Sequence, residues 1–354
     1  LSAKRRFVWL QRQLTPLQHW EVNRLGIPGL EFHHTESRVY PQGKLLGHVL
    51  GFTDVDNNGL SGVEKEFNEA LRSTGQPLQL TIDVRLQHLL REEVGSAMRE
   101  FSAIGGAGII MDSRNGEIMA MTSLPDFDPN HAGDADANTR FNRATLGVYE
   151  LGSTFKIFNT AAALETGIAN MRSSYDARKP IRIARFSIRD YHAKNRVLSV
   201  PEIFVYSSNI GSAKMAQDIG APAQKAFLGS LGFLKALPVE LPEVGSPIYP
   251  NIWRPINTMT ISYGHGVSVS PLHLASGVAA MVNGGEYFAP TLVKPLGPRK
   301  GERVISPRTS EAIRKLMRLN NVEGSGKASN AEGYIVGGKT GTAEKVGARG
   351  GYKR

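Results

Sequence analysis

Three short strings hold the residue types that could do chemistry, and they come in a fixed order. They are Ser153-Thr154-Phe155-Lys156, then Ser207-Ser208-Asn209, then Lys339-Thr340-Gly341-Thr342. A serine hydroxyl attacks a carbonyl only if its proton leaves as the new bond forms, so it needs a base within reach. Side chains three residues apart on a helix share a face about one turn apart. Lys156 therefore reaches Ser153 if this segment is helical, and Ile157, Phe158, Ala161, Ala162 and Leu164 predict a buried helix there. A lysine is a base only when neutral, and burial beside a second cation such as Lys339 would lower its pKa. A helix N-terminus at Ser153 would also favour negative charge developing on a substrate.

The other two strings complete the set. Ser207 offers a hydroxyl that can pass a proton between lysine and leaving group, and Asn209 an amide that can hold a substrate carbonyl. Lys339 and Thr340, expected at a strand edge after Gly337-Gly338, can bind a carboxylate. Gly341 removes a side chain where a ligand must lie flat. The N–H of Thr342, paired with that of Ser153, can form an oxyanion hole. Ser113-Arg114-Asn115 repeats the Ser-x-Asn pattern, but it precedes Gly116 in a predicted hairpin turn, where Asn serves turn geometry. Each string alone arises easily by chance; their order makes them a set.

Local signals predict the elements that must position these residues. Asp83 is a candidate N-cap for a helix whose apolar face runs through Leu86, Leu89, Leu90, Val94, Ala97, Met98 and Phe101. Gly106 to Asp112 and Glu117 to Ser123, joined at Asn115-Gly116, predict a β-hairpin. Ser199-Val200-Pro201-Glu202 is a capping-box pattern, and Ser270-Pro271 and Ser306-Pro307 open two further helices. Ile313, Leu316 and Met317 fall on one face of the last. Tyr334 to Val336 reads as a strand leading into Lys339. Strands near both ends with helices between predict an α+β domain. Residues 1–78 are polar and broken by Gly and Pro, and Leu45 to Phe52 suggests an extended, β-rich auxiliary region.

Composition sets the outer limits. A chain of 354 residues with 41% apolar content can fill two domains. The net charge of +10 is scattered apart from Lys4-Arg5-Arg6 and the Arg349 to Arg354 stretch, and no nucleic-acid motif accompanies it, so a cationic surface near anionic material is the better reading. With no cysteine, disulfide and thiolate chemistry are excluded. The nine histidines are dispersed without metal-ligand spacing, and neither a metal nor a cofactor is expected. No run of about 18 apolar residues and no signal peptide is present. The chain starts without Met, as a fragment would.

Ser-x-x-Lys, Ser-x-Asn and Lys-Thr-Gly together are shared by penicillin-binding proteins and class A β-lactamases. Around them lie Arg38-Val39-Tyr40-Pro41, His48-Val49-Leu50-Gly51, Gly59-Leu60-Ser61-Gly62-Val63-Glu64, Leu80-Thr81-Ile82-Asp83, Gly116-Glu117-Ile118-Met119-Ala120, Asn142-Arg143 and Tyr263-Gly264-His265-Gly266. With these, nearly the whole chain resembles a class B penicillin-binding protein. The Asp-x-x-Gly-x-x-Gly-x-Glu run at Asp56 to Glu64 is more like the cell-division (septum-specific) type than the elongation type.

The resemblance implies an α+β transpeptidase/β-lactamase-like domain, an antiparallel sheet packed between helices, over residues 79–354. A small, partly extended pedestal module over residues 1–78 would precede it. The module is expected to be incomplete, and the domain to lack its C-terminal end. The implied activity is that of a peptidoglycan D,D-transpeptidase. Ser153 would be the nucleophile, Lys156 its base, Ser207 a proton relay and Asn209 a holder of the substrate amide. Lys339 and Thr340 would bind the terminal carboxylate, with Gly341 and Thr342 completing the substrate edge.

Implied partners are stem peptides, their lipid-linked precursor, β-lactams bound covalently at Ser153, a glycan polymerase and divisome membrane proteins, but no nucleic acid. The implied location is the bacterial inner membrane, through a single-pass anchor absent from this chain, with the catalytic domain in the periplasm. Two departures stand out: Leu151 where the family usually has Pro, and Ser208 where β-lactamases have Asp. A β-lactamase is the rival enzyme, but no Glu-x-x-x-Asn water-activating pattern lies between Asn209 and Lys339. A β-lactam sensor or a structural cell-wall module are the non-enzymatic rivals.

Overall fold

In the computed structural model, which describes residues 7–73, 75–183 and 186–343, the N-terminal stretch is built of short helices rather than strands. Thr15 caps α1 (Pro16–Asn23) through a reciprocal capping box with Gln18. The run from Leu45 to Phe52, expected to be extended, passes through a 3₁₀ turn at Gly43–Leu46 into α2 (Gly47–Leu50). Packing explains the difference. Leu46 and Val49 both enter one apolar cluster with Val63, and a spacing of three puts them on one face of a helix but on opposite faces of a strand. α3 (Gly62–Glu66) and α4 (Asn68–Ser73) follow, and a single bridge, Thr53 to Gly59, is the strand-like pairing recorded within this region.

Asp83 caps α5 (Val84–Glu100), its carboxylate accepting from the Arg85 N–H. The hairpin forms as its Asn-Gly turn dictates: β1 (Gly106–Met111) pairs antiparallel with β2 (Ile118–Leu124), Gly106 opposite Leu124. Gly106 and Gly108 are small because α5 lies against them, and a Cβ on either would push into Leu90, Val94 or Met98. Ala107, Ile109 and Met111 join the cluster that holds Leu272 and Leu292.

After α6 (Ala137–Arg140), a 3₁₀ turn at Gly152–Phe155 leads into α7 (Lys156–Glu165). The short strands β3 (Ser174–Asp176), β4 (Ile181–Ile183), β5 (Phe186–Ile188) and β6 (Val197–Ser199) form two antiparallel pairs, β3 with β6 and β4 with β5. Ser199 and Glu202 close the expected capping box on α8 (Val200–Val205). α9 (Asn209–Ile219), α10 (Ala221–Ser230), α11 (Pro255–Ile261) and α12 (Pro271–Val282) follow, the last capped by Ser270. The pair β7 (Glu286–Tyr287) and β8 (Glu302–Arg303) precedes α13 (Pro307–Glu323), capped by Ser306.

The architecture is α+β, as expected, with antiparallel pairs flanked by helices. The main core sits under α7. Phe155, Phe158 and Phe233 meet with ring centroids 4.8–5.6 Å apart. Ile313, Leu316 and Met317 of α13 complete it with Met281 of α12. The expected sheet is less continuous than its sequence signals: β1 and β2 stand as a pair, with bridges from Leu80 to Val293 and Glu117 to Thr291 beside them.

Tyr334 to Val336, expected as a strand, has no ladder partner among the described residues, and Tyr334 and Ile335 are exposed. This segment takes its hydrogen bonds from α13 instead. Gly338 N–H donates to the Met317 carbonyl at 3.2 Å, and the Arg318 guanidinium donates to the Val336 carbonyl at 2.9 Å. Among the described residues no helix is long and apolar enough to cross a membrane.

Candidate active site

Ser153 sits in the 3₁₀ turn and Lys156 opens α7, so the turn and helix bring the two to one face as the three-residue spacing requires. The aromatic core fixes this helix from below through Phe155 and Phe158. Lys156 is 1% exposed. Its Nζ lies 2.7 Å from Ser153 Oγ, 2.9 Å from the Ser207 carbonyl, 3.1 Å from Ser207 Oγ and 2.7 Å from Asn209 Oδ1.

Burial pushes the Lys156 pKa well below the usual lysine value; the charge of Lys339 pushes the same way, and Asp190 opposes both. A neutral amine has two N–H donors and one lone pair. Among four oxygen neighbours it can donate to the Ser207 carbonyl and Asn209 Oδ1 while accepting from the Ser153 hydroxyl. That is the arrangement a base needs.

Ser207 owes its place to the end of α8. Its φ is +56°, and the Ser207 and Ser208 N–H groups donate back to the Phe204 and Ile203 carbonyls at 3.3 and 2.9 Å. These are the two bonds of a Schellman ending, with serine in the left-handed position that glycine usually holds. A side chain there costs about 1 kcal/mol, and here it places a hydroxyl between two lysines: Lys339 Nζ donates to Ser207 Oγ at 3.0 Å. The helix cap falls on the next residue, Ser208, whose Oγ accepts from Gly211 N–H at 2.9 Å and donates to Asp190 Oδ2 at 2.8 Å. Asp190 Oδ1 accepts from Ile210 N–H at 2.9 Å, and Asn209 Nδ2 donates to the Arg189 carbonyl at 3.0 Å. The segment carrying Arg189 and Asp190 thus ties down the whole Ser-x-Asn turn.

Among the described residues the third string closes the site without a strand ladder. Burial lowers the Lys339 pKa to about 8. Thr340 Oγ1 shares a 2.6 Å hydrogen bond with Ser325 Oγ. Gly341 passes so close to Leu151 and Thr154 that a Cβ would meet the Leu151 carbonyl. Thr342 lies against Gly152, whose Cβ would overlap the Thr342 carbonyl. Ser153, Lys156, Ser207, Asn209, Lys339, Thr340, Gly341 and Thr342 therefore share one region. Ser113-Arg114-Asn115 does not join them: Asn115 Oδ1 accepts from Glu117 N–H in the hairpin turn.

Some contributors gave little signal in the sequence. Asp190 is a lone carboxylate in a loop. Tyr263 has its ring centroid 5.9 Å from Lys156 Nζ, and Gly264 backs onto Gly152 with no room for a Cβ. Glu150 accepts from Gly266 N–H at 2.7 Å, linking the two loops. The Tyr-Gly-His-Gly string was visible, but its position behind the nucleophile was not.

Residues 106–354 match the family model described as the penicillin binding protein transpeptidase domain. The chain is 42% identical over 341 residues to the "Probable peptidoglycan D,D-transpeptidase FtsI" of Caulobacter vibrioides, covering 94% of this chain and 58% of that one. It is 32% identical over 381 residues to the "Peptidoglycan D,D-transpeptidase FtsI" of Escherichia coli, covering 99% and 64%. The chain thus spans less than two thirds of the length of these relatives. The crystal structure of a peptidoglycan glycosyltransferase from Burkholderia ambifaria is similar at a TM-score of 0.69 and 29% identity, over 75% of this chain and 82% of that one. Penicillin binding protein 3 of Mycobacterium tuberculosis has the same fold, with a TM-score of 0.80 at 24% identity over 90% and 78%. With its serines, lysines and asparagine joined in one hydrogen-bonded cluster and the family match running across that cluster, the chain belongs to the penicillin-binding protein transpeptidase family.

Proposed function

We propose that this chain carries the acyl-transfer site of a peptidoglycan D,D-transpeptidase of class B, acting in septal cell-wall synthesis. The observation that carries the reading is the Lys156 amine, buried and depressed in pKa, 2.7 Å from Ser153 Oγ. Ser153 gives its proton to Lys156 as Oγ attacks the penultimate D-Ala carbonyl of a D-Ala-D-Ala stem peptide. Lys339 and Thr340 hold the terminal carboxylate, Gly341 lets this segment pack closely against Leu151 and Thr154 beside the nucleophile, and the N–H groups of Ser153 and Thr342 receive the oxyanion. Ser207, between the two lysines, passes a proton to the departing D-Ala amine, while Asn209 holds the substrate amide through its remaining N–H. An ester on Ser153 results. An amine of a neighbouring stem peptide then attacks it, a new amide forms, and the proton returns to Ser153 Oγ.

On this reading β-lactams acylate Ser153 and stay. The intact protein is anchored in the bacterial inner membrane with this site in the periplasm. It works on stem peptides delivered through a lipid-linked precursor, beside a glycan polymerase and divisome membrane proteins. The septal assignment is supported by the FtsI names of the relatives and by the Asp56 to Glu64 run. The Burkholderia protein is named a glycosyltransferase. Glycoside hydrolysis works through a pair of carboxylates; among the described residues the carboxylate tied to the catalytic turn, Asp190, is occupied by Ser208 and Ile210.

The test supplies the protein with a D-Ala-D-Ala stem peptide and a D-amino acid as acceptor amine, and follows free D-Ala and transfer product together. Both should appear, and Lys156→Met should slow them by about 10²–10⁴. Equal rates in the variant, or no D-Ala released by the wild type, would reject the assignment.

A further inference from the structure

The acyl-transfer chemistry uses the Thr340 hydroxyl but not the hydroxyl beside it. Ser325 lies in the turn after α13, and its Oγ is 2.6 Å from Thr340 Oγ1. Both residues are exposed, and Lys339 Nζ, 3.1 Å from the Thr340 carbonyl, brings a cation to the same place. Asn320, fully buried near the end of α13, holds the turn. Its carbonyl accepts from the Gly324 N–H at 2.9 Å and the Gly326 N–H at 3.2 Å. Its side chain reaches two segments: Nδ2 donates to the Gly338 carbonyl at 2.9 Å, and Oδ1 accepts from Ser325 Oγ at 3.3 Å. One buried amide thus fixes both the backbone leading into Lys339 and the hydroxyl beside Thr340.

We propose that Ser325 is a positioning residue for carboxylate recognition, acting through the Thr340 hydroxyl. Ser325 and Thr340 carry one hydroxyl proton each, and Asn320 Oδ1 carries none. Without an anion, Thr340 donates to Ser325 and Ser325 donates to Asn320 Oδ1, so both protons are used. A carboxylate only accepts. When one reaches Thr340, the Thr340 proton turns to it, and the Ser325 proton swings from the 3.3 Å contact to the 2.6 Å one. The link between the two hydroxyls survives with its polarity reversed, and only the longer and weaker of the Ser325 bonds is given up. A chain of hydrogen bonds ending on an anion also strengthens its members. The inference rests on the acyl-transfer reading, in which Thr340 meets the terminal carboxylate, and adds the residue that prepares Thr340 to do so.

Two thioesters of one N-acyl-D-Ala test it: a carboxymethyl thioester, whose leaving group carries a carboxylate, and a propyl thioester, whose leaving group carries none. Thiol release is measured for the wild type, Ser325→Ala and Ser325→Thr, and for Thr340→Val with and without Ser325→Ala. Penicillin labelling of Ser153 at saturation is followed in each as a check on folding and on the nucleophile. Ser325→Ala should lower kcat/KM for the carboxymethyl thioester by about three- to tenfold, the scale of one hydrogen bond, mainly through KM. The propyl thioester should keep its rate, and Ser325→Thr should restore the loss. In the Thr340→Val background Ser325→Ala should cost nothing further. Equal loss with both thioesters, no loss with either, no rescue by Ser325→Thr, or a full effect that persists in Thr340→Val overturns the role of Ser325 while leaving the acyl-transfer reading intact. Failure of the wild-type Ser153 to take penicillin overturns that reading and the role of Ser325 together.

Discussion

At Lys156 two effects act in one direction: burial withdraws water from the ammonium, and Lys339 adds a like charge nearby. Both favour the neutral amine that a base must be. Lys339 has the opposite task, since it binds a carboxylate only while charged, and its pKa of about 8 sets the limit. Acylation by a carboxylate-bearing donor should therefore fall above pH about 8, approaching tenfold per unit as the Lys339 cation is lost. Lys339→Arg, always charged, should remove that falling limb even if it lowers the plateau, as a pH profile of kcat/KM would show. A limb unchanged in Lys339→Arg would assign it to another group. The Ser153–Lys156 pair was legible in sequence because a three-residue helical spacing is a local rule. The left-handed position of Ser207 was not legible, because a Schellman ending normally announces itself with glycine and here the chemistry occupies that place.

Among the elements, the catalytic loops are stacked backbone on backbone. Thr342 lies against Gly152, Gly152 against Gly264, and Gly341 against Leu151. Gly264 has φ +81°, and a Cβ there would overlap the Gly152 backbone. Gly264→Ala should displace the residue before Ser153 and cut penicillin acylation by about 10² or more, since misplacement of reacting groups by about 1 Å has that effect. Its thermal unfolding temperature should change far less than its acylation rate; retained acylation would show that this contact does not position the nucleophile.

Helix starts were readable because their caps are local: Asp83, Ser199, Ser270 and Ser306 each accept the predicted backbone bond. Strand extent was less readable, because a ladder needs a partner that local sequence does not name. Tyr334 to Val336 has strand-like residues but bonds to α13. Leu45 to Phe52 was misread for a related reason: an apolar run this short fits either period, and the shared burial of Leu46 and Val49 selects the helix.

Across the whole molecule, α2, α3 and the segment at Tyr40 are tied to the rest by polar contacts. Gly62 N–H donates to the Glu243 carboxylate at 3.1 Å, His48 Nε2 to the Thr139 carbonyl at 2.8 Å, and the Tyr40 backbone exchanges bonds with Asn130. A pedestal over residues 1–78 attached to a catalytic domain from residue 79 is our proposed division, with the boundary between α4 and α5.

The account stands or falls on Ser153 as a nucleophile served by Lys156. The most direct measurement is intact mass after penicillin treatment, with peptide mapping. It should find one adduct, on Ser153, persisting for hours and absent from Ser153→Ala. No adduct, an adduct on another residue, or one shed within minutes with turnover of the penicillin would contradict it.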